Sequence, residues 1–318
     1  MTDPLRRICA EQGVFLRREA LTFGYDDKAI SRACRDGVFH RVRHGAYAFA
    51  DDWRSLNGRQ RHRVTARAVL RAARVPILLS HVTAALEYGA PLWDFPLEEV
   101  HTTQLWGGAG RREAGIRHHQ GRLLPGDRTE LGGLPVTSAA RTAVDLVSIA
   151  DIEHALVPIN AMLHEGLLSV RDFEARLKQV SRWPHTLGSH LVLKLINPHC
   201  ESVGETRSDY FFWAQGLPRP EPQVEIFDRS GAFVARVDFA WRGHKVFLEF
   251  DGRIKYQKLL KPGEDPSDVV IREKRREEQV CELTGWRCIR ITWSDLARPE
   301  RLATRIRAML AGGPSYAA

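Results

Sequence analysis

Two short segments in the last third of the chain, residues 236–241 and 246–252, constrain the fold most. Each has the apolar pattern of a strand, and each carries a carboxylate, Asp238 in the first and Glu249 in the second. Successive side chains of a strand point to opposite faces, so Glu249 shares a face with Asp251. The segments therefore predict two neighbouring strands that display acids near one end.

The turn between these predicted strands decides which side chains face each other. A two-residue turn at Arg242 and Gly243 would place Asp238 opposite Phe247, with Glu249 on the diagonal of the same face. At that separation both carboxylates can hold one divalent cation. A surface hairpin with scattered charge is the alternative interpretation.

The acid pair also has a chemical meaning. Two neighbouring carboxylates repel each other unless a positive group lies between them. Hard cations prefer oxygen ligands, and a cation held in this way promotes phosphodiester hydrolysis. The pair therefore predicts a metal-dependent hydrolase of phosphodiesters.

Length and composition favour a globular protein of several domains. The chain has 318 residues, of which 43% are hydrophobic, enough for two or three domains with cores of their own. No apolar run approaches the length of a membrane span, and the first residues lack the apolar core of a signal peptide, so we expect a cytoplasmic protein. Five cysteines without CxxC spacing indicate buried free thiols.

The charge favours a polyanionic partner. The formal net charge is +8, and residues 53–86 contain no acid at all. Within that stretch Arg59, Arg63, Arg67 and Arg71 follow each other at intervals of four, which a helix would align in one stripe. Contact between Arg63, Arg67 and a phosphate backbone would relieve their repulsion. A solvated helix face explains the stripe equally well.

The first 52 residues have the layout of a winged helix-turn-helix. Helices are predicted at 4–12, 14–21 and 26–36, and the alternating segment 38–44, a turn at Gly45 and the segment 46–49 predict the wing. The expected DNA contacts are five cations of the third helix and the wing: Lys28, Arg32, Arg35, Arg41 and Arg43. A small helical cap with a basic edge is the alternative.

A family resemblance rests on two stretches of this unit, residues 13–21 (GVFLRREAL) and 30–47 (ISRACRDGVFHRVRHGAY). They resemble the N-terminal winged helix of the AbiEi family, antitoxins of type IV toxin–antitoxin systems. The resemblance covers about the first fifty residues and implies DNA binding.

The middle of the chain alternates helix and strand signals. Residues 53–150 predict an α/β domain, with strands at 75–79, 100–103, 116–119 and 134–137 and helices at 80–89 and 138–147, and they resemble more loosely the region that follows the winged helix in AbiEi-like proteins. We expect residues 107–112 to form a turn, and His118 with His119 to lie at a strand edge and not in a metal site. Residues 151–200 predict a helical connector with helices at 152–166, 169–181 and 187–197.

Residues 201–318 predict a domain in the order helix, three antiparallel strands, helix, strand, which is the core of the PD-(D/E)XK nuclease fold. Asp238, the run 249–252 (EFDG), Arg272, Arg276 and the run 283–292 (LTGWRCIRIT) resemble the Vsr-like domains related to the very-short-patch-repair endonuclease. Over nearly its full length the chain resembles actinobacterial proteins that join such a domain to an AbiEi-like winged helix. The resemblance implies a metal-dependent DNA endonuclease.

Roles for individual residues follow from that resemblance. Asp238, Glu249 and the helix-borne Glu205 would bind Mg²⁺ or Mn²⁺. The nuclease motif has a lysine two positions after its second acid, whereas this chain has Asp251 there. Lys255 would then stabilise the developing negative charge.

Three further cations complete the predicted site. Lys258 is the reserve for Lys255 in this role, and Lys274 or Arg275 would face phosphates unless they lie on a solvated helix face. Two functions follow: a DNA endonuclease, with RNA as a weaker substrate alternative, or a non-catalytic, antitoxin-like regulator with a degenerate nuclease fold. The departure at Asp251 favours the second.

Overall fold

A computed structural model describes residues 3–105, 110–183, 188–252 and 266–312. The chain divides into two compact units, Met1–Lys194 and Leu195–Ala318. Both are mixtures of helices and sheets, as the sequence predicts. Residues 107–109 of the predicted turn, with Lys255 and Lys258, lie outside the described residues. The turn is wrong at Arg111 and Arg112, which belong to a strand.

The first unit begins with a winged-helix arrangement. Its elements are α1 Pro4–Gln12, β1 Phe15–Leu16, α2 Arg17–Thr22, α3 Asp27–Arg35, β2 Phe39–Arg43 and β3 Ala46–Phe49. The strands form an antiparallel sheet in the order β1-β3-β2. Asp26 caps α3 by accepting a hydrogen bond from the backbone N–H of Ala29, as predicted.

The predicted helix at 14–21 is wrong in its first turn. Phe15 and Leu16 pair with Tyr47 and Ala46 as strand β1, and the helix begins only at Arg17. Phe15 is fully buried, with its ring centroid 4.9 Å from that of Phe39. Burial of both residues in the sheet outweighs their helical spacing.

A six-stranded sheet, β4 to β9, forms the centre of the first unit. The helices and strands that follow β3 are α4 Ala50–Ser55, α5 Gly58–Ala72, β4 Ile77–Leu79, α6 His81–Glu87, β5 Val100–Gln104, β6 Arg111–Glu113, β7 Ile116–His119, β8 Arg128–Leu131, β9 Leu134–Thr137, α7 Ala139–Ile149, α8 Ile152–His164, α9 Val170–Gln179 and α10 Ser189–Leu195. The order is β6-β7-β5-β4-β9-β8, with β5 parallel to β7 and β4 parallel to β9. Because β7 lies between β6 and β5, the expectation that His118 and His119 lie at a strand edge is wrong.

A buried group of charges ties the central sheet to its helices. Arg141 of α7 donates to Asp127 and to Asp145, both at 2.7 Å, and Arg176 of α9 lies 3.1 Å from the other oxygen of Asp127. All four residues are at most 9% exposed. The mutual pairing offsets the cost of removing these charges from water.

The second unit contains a four-stranded sheet. Its elements are α11 Val203–Ala214, β10 Glu221–Phe227, β11 Phe233–Trp241, β12 Val246–Phe250, α12 Pro266–Thr284, β13 Arg287–Ile291, α13 Trp293–Leu296 and α14 Pro299–Leu310. The strand order is β10-β11-β12-β13, antiparallel except for the parallel pair β12 and β13. One apolar cluster joins residues of α11, α13 and α14 to the sheet, and a second includes Val280 of α12.

The turn between β11 and β12 is longer than the sequence suggests. Trp241 pairs with Val246, and a short 3-10 turn, Arg242–His244, is followed by Lys245 in the left-handed region at φ 53°. The two-residue turn at Arg242 and Gly243 is therefore wrong, and the register moves by two residues. Continued by one position beyond Phe239 and Leu248, this register sets position 238 opposite position 249.

The cysteines and the hydropathy of the helices bear on two expectations from the composition. All five cysteines are free; Cys9 and Cys200 are buried and the other three half-buried. Among the described residues no helix is long and apolar enough to cross a membrane.

Candidate nuclease site and nucleic-acid surface

Asp238 and Glu249 lie on the neighbouring strands β11 and β12. The pairing of these strands ends at Phe239 and Leu248, and its continuation by one position sets 238 opposite 249. The Oδ2 atom of Asp238 accepts a hydrogen bond of 2.8 Å from the backbone N–H of Phe250, which anchors the Asp238 carboxylate beside the end of β12. The corrected turn thus changes the expected diagonal relation of the two acids to a directly opposite one in the continued register.

Two arginines approach Glu249. Nη2 of Arg276, on α12, donates to Oε1 of Glu249 at 2.9 Å. Arg290 pairs with Glu249 in the parallel register of β12 and β13, and its Nη2 atom lies 3.6 Å from Oε2 of Glu249. Glu249 is only 9% exposed, so these cations compensate a carboxylate that is mostly shielded from water.

Arg290 is the centre of this charge network. Its guanidinium also lies 3.7 Å from Oδ2 of Asp251 and donates to Glu277 at 2.6 Å. Burial lowers the pKa of Arg290, but the hydrogen bond and the charge of Glu277, with the charge of Glu249, outweigh it and raise the pKa well above the ordinary value. Arg290 therefore stays protonated and links three acids.

Glu205 occupies the first turn of α11, as the sequence predicts. Its Oε1 atom accepts from the hydroxyl of Ser202 at 2.6 Å, and Oε2 accepts from the backbone N–H of Glu201 at 2.9 Å. Oε2 also accepts from Nε2 of Gln223 at 2.7 Å. Gln223 lies on β10 at the position that faces Asp238, so it connects the helix-borne acid to the acid-bearing strands.

The residue types suit a hard cation, but the described geometry is not a closed three-acid cage. Carboxylate oxygens are the ligands that Mg²⁺ and Mn²⁺ prefer, and Asp238 with Glu249 supplies two of them at facing positions. Across the described ranges, only histidines form a group of three or more possible metal ligands with all ligand atoms within 4.8 Å of one another. Joint binding by Glu205, Asp238 and Glu249 would therefore require side-chain rearrangement.

The predicted recognition helix presents a basic face. Lys28, Arg32 and Arg35 are all exposed on α3, while Ile30 is buried in the winged-helix core. Intervals of four and three residues place these cations on one side of the helix. This surface matches the electrostatic requirements of a phosphate backbone.

The two arginines of the wing differ from each other. Arg41 is exposed, and its Nη2 atom lies 2.8 Å from Nδ1 of His44. Arg43 is half-buried, and burial lowers its pKa. Of the two wing arginines, Arg41 is therefore the one exposed to contact a phosphate backbone.

The arginine stripe of α5 has contacts within its own unit. Arg63 donates to the carbonyl of Leu86, and its Nε atom lies 3.7 Å from Oε2 of Glu87. Burial raises the pKa of Glu87, and the charges of Arg63 and Arg67 act in the opposite direction. These contacts give the two arginines a structural role, and DNA contact by them stays a prediction.

On α12 the sequence singles out Lys274 and Arg275, and both are exposed. It did not assign a role to Arg290 or Gln223, which contact Glu249 and Glu205 respectively. For Gln223, the sequence feature that could have indicated this contact is its position at the start of the strand that precedes the two acid-bearing strands.

Comparison with known families covers the N-terminal part of the chain. Residues 5–50 match the family described as transcriptional regulator, AbiEi antitoxin. No curated protein matches the chain. An AbiEi-antitoxin-like N-terminal domain is therefore present, its three helices and antiparallel wing agree with a winged helix, and the match supports DNA binding in a regulatory protein.

Proposed function

We propose that the protein is a divalent-metal-dependent DNA endonuclease with an AbiEi-like winged helix that contributes duplex binding. The observation that carries the proposal is the register of the adjacent strands β11 and β12, whose continuation by one position sets Asp238 opposite Glu249. These strands belong to a unit with the order α11, β10, β11, β12, α12, β13, which is the order of the PD-(D/E)XK core.

The chemistry of the two acids supports hydrolysis. Asp238 and Glu249 would hold Mg²⁺ or Mn²⁺, which would polarise the scissile phosphate and lower the pKa of the attacking water. Arg276 and Arg290 lie within 3.6 Å of Glu249, so they are available to hold a phosphate when the cation takes over the carboxylate. They supply positive charge where the motif's lysine is replaced by Asp251.

The N-terminal domain supports DNA as the substrate. Its family match is to transcriptional regulators, and Lys28, Arg32 and Arg35 form an exposed basic face on α3. Sequence-independent phosphate contacts by such cations give affinity that falls steeply with salt.

The experiment is a cleavage assay on the full chain with supercoiled plasmid, linear duplex and single-stranded DNA. Wild-type protein is expected to nick or cut DNA with Mg²⁺ or Mn²⁺ and to be inactive in EDTA. Asp238→Asn and Glu249→Gln should each abolish cleavage and leave DNA binding in place.

Glu225→Gln is the matched control. Glu225 is an exposed acid on β10 of the same sheet, so its loss removes one charge without touching the proposed site. Cleavage that survives in Asp238→Asn and Glu249→Gln, or that persists in EDTA, would contradict the nuclease assignment.

A second candidate function is a non-catalytic DNA-binding regulator. The observation that favours it is the compensation of Glu249 by Arg276 and Arg290, since acids already paired with arginines need no metal. Tight binding to one DNA sequence in EDTA, with no cleavage of any substrate in Mg²⁺ or Mn²⁺, would favour the regulator over the nuclease.

A further inference from the structure

Three histidines from separate elements meet in the central sheet of the first unit. His81 begins α6, His101 lies on β5, and His119 lies on the neighbouring strand β7. One ring nitrogen of each lies within 4.8 Å of the others, and no other group of this kind occurs among the residues that the structure describes. The cluster is far along the chain from the acids of the second unit and has no role in the proposed nuclease.

The distances within the cluster suit coordination of one small ion. Nε2 of His119 lies 3.0 Å from Nδ1 of His101, and the rings of His81 and His119 stack with centroids 3.4 Å apart. Two imidazole nitrogens bound tetrahedrally to Zn²⁺ at 2.0–2.1 Å are separated by about 3.4 Å. The nitrogens of His101 and His119 are close to that separation, whereas the stacked rings of His81 and His119 must turn before both direct a nitrogen at one ion.

The surroundings of the cluster resemble those of metal-binding histidines. Nδ1 of His81 lies 3.0 Å from the hydroxyl of Ser80 and 3.7 Å from Oδ2 of buried Asp145. The Ser80 hydroxyl is thus within hydrogen-bond distance of the ring, and the Asp145 oxygen lies beyond it. His81 and His101 are each only 4% exposed, so the site is shielded from competing water.

We propose that His81, His101 and His119 bind one divalent transition-metal ion of the Zn²⁺ type. Imidazole nitrogens suit Zn²⁺, Co²⁺ and Ni²⁺, whereas Mg²⁺ and Ca²⁺ require oxygen ligands. Three protein ligands leave a fourth position for water or an anion, the arrangement typical of catalytic and not of structural zinc. Without a metal, the same contacts amount to a hydrogen-bonded histidine pair and a ring stack.

The experiment titrates EDTA-treated, dialysed full-length protein with Zn²⁺ by calorimetry and with Co²⁺ by visible absorption. Wild type is expected to bind one ion, with the Co²⁺ bands of a tetrahedral nitrogen site and no heat from Mg²⁺ at the same concentrations. His101→Asn and His119→Asn should each weaken binding by about 100-fold or more.

His164→Gln and His118→Gln are the matched controls. His164 is exposed on α8, and His118 adjoins His119 but contacts Thr102, so neither change should alter metal affinity. His119→Asn, the change at the least buried of the three, must keep the wild-type circular dichroism spectrum and cooperative melting; if it does not, His119→Gln replaces it. Absence of Zn²⁺ binding by folded wild type, or equal affinity in a folded His119 variant, would overturn the proposal.

Discussion

Gly204 gives the sharpest test of how α11 lies on the sheet. A Cβ atom at this position would lie 2.1 Å from Cε1 and 2.2 Å from Cδ1 of Phe250, far inside the range of real contacts. The Phe250 ring is 4% exposed and packs edge-on against Trp293 at 4.6 Å, so it has little room to move. The close approach requires glycine, and it holds α11, with Glu205, directly against β12.

The expected cost of Gly204→Ala follows from two opposing effects. Overpacking of a filled core costs about 3 kcal/mol. Alanine is a better helix former than glycine and returns about 1 kcal/mol. We therefore expect the free energy of unfolding of the second unit to fall by about 2 kcal/mol, with its melting temperature lower by about 5–10 °C.

The assay is calorimetric melting of the full chain, supported by urea unfolding. Gly243→Ala is the matched control, because within the described residues its Cβ would have no heavy atom within 4 Å, and we expect a change below about 0.5 kcal/mol. If Gly204→Ala melts at the wild-type temperature, the packing of α11 on Phe250 is not as described.

Three further outcomes are expected. Arg141→Gln leaves the carboxylate of buried Asp127 short of a partner and should lower the free energy of unfolding of the first unit by about 3–5 kcal/mol in urea, and a loss below 1 kcal/mol would contradict the charge network. Burial lowers the pKa of His62, so the unfolded state binds a proton that the folded state does not, and the free energy of unfolding falls as the pH drops below about 6.5. His62→Gln should reduce this pH dependence by up to about 1.4 kcal/mol per pH unit. An unchanged pH profile in the variant would contradict the burial of the ring. In a plot of the logarithm of the duplex-binding constant against the logarithm of the salt concentration, Lys28→Gln should reduce the slope by about one unit. Equal slopes for wild type and variant would show that Lys28 does not contact DNA.

The bounds of a helix could be predicted from the sequence where a proline, a capping residue or a glycine marks its end. The helices Pro4–Gln12 and Pro299–Leu310 have the bounds that their initial prolines and apolar spacing predict. Asp26 caps its helix as expected, and Gly13 adopts the left-handed conformation that ends the first helix. These features depend on a few neighbouring residues only.

Long-range register was not predictable in the same way. The turn after β11 depends on Lys245 at φ 53°, a conformation that lysine seldom adopts, so the facing of Asp238 and Glu249 was missed. The pairing of Glu249 with Arg290 joins positions separated by a long segment and a helix. Parallel neighbours of this kind leave no local trace in the sequence.

The histidine cluster could not be predicted from the sequence for a different reason. Adjacent His118 and His119 point to opposite faces, which excludes them as joint ligands of one ion but says nothing about each alone. His119 instead meets His101, two strand positions away from its own pairing partner Thr103. Only the sheet order brings these side chains together with His81.

The rate of DNA cleavage as a function of Mg²⁺ concentration tests the central claim most directly. Single-turnover cleavage of a labelled duplex by the full chain should rise with Mg²⁺ and saturate, and Asp238→Asn should lower the rate by about 1,000-fold or more, the loss of about 4 kcal/mol of transition-state stabilisation. A rate that is independent of Mg²⁺, or that is equal in wild type and Asp238→Asn, would contradict the account.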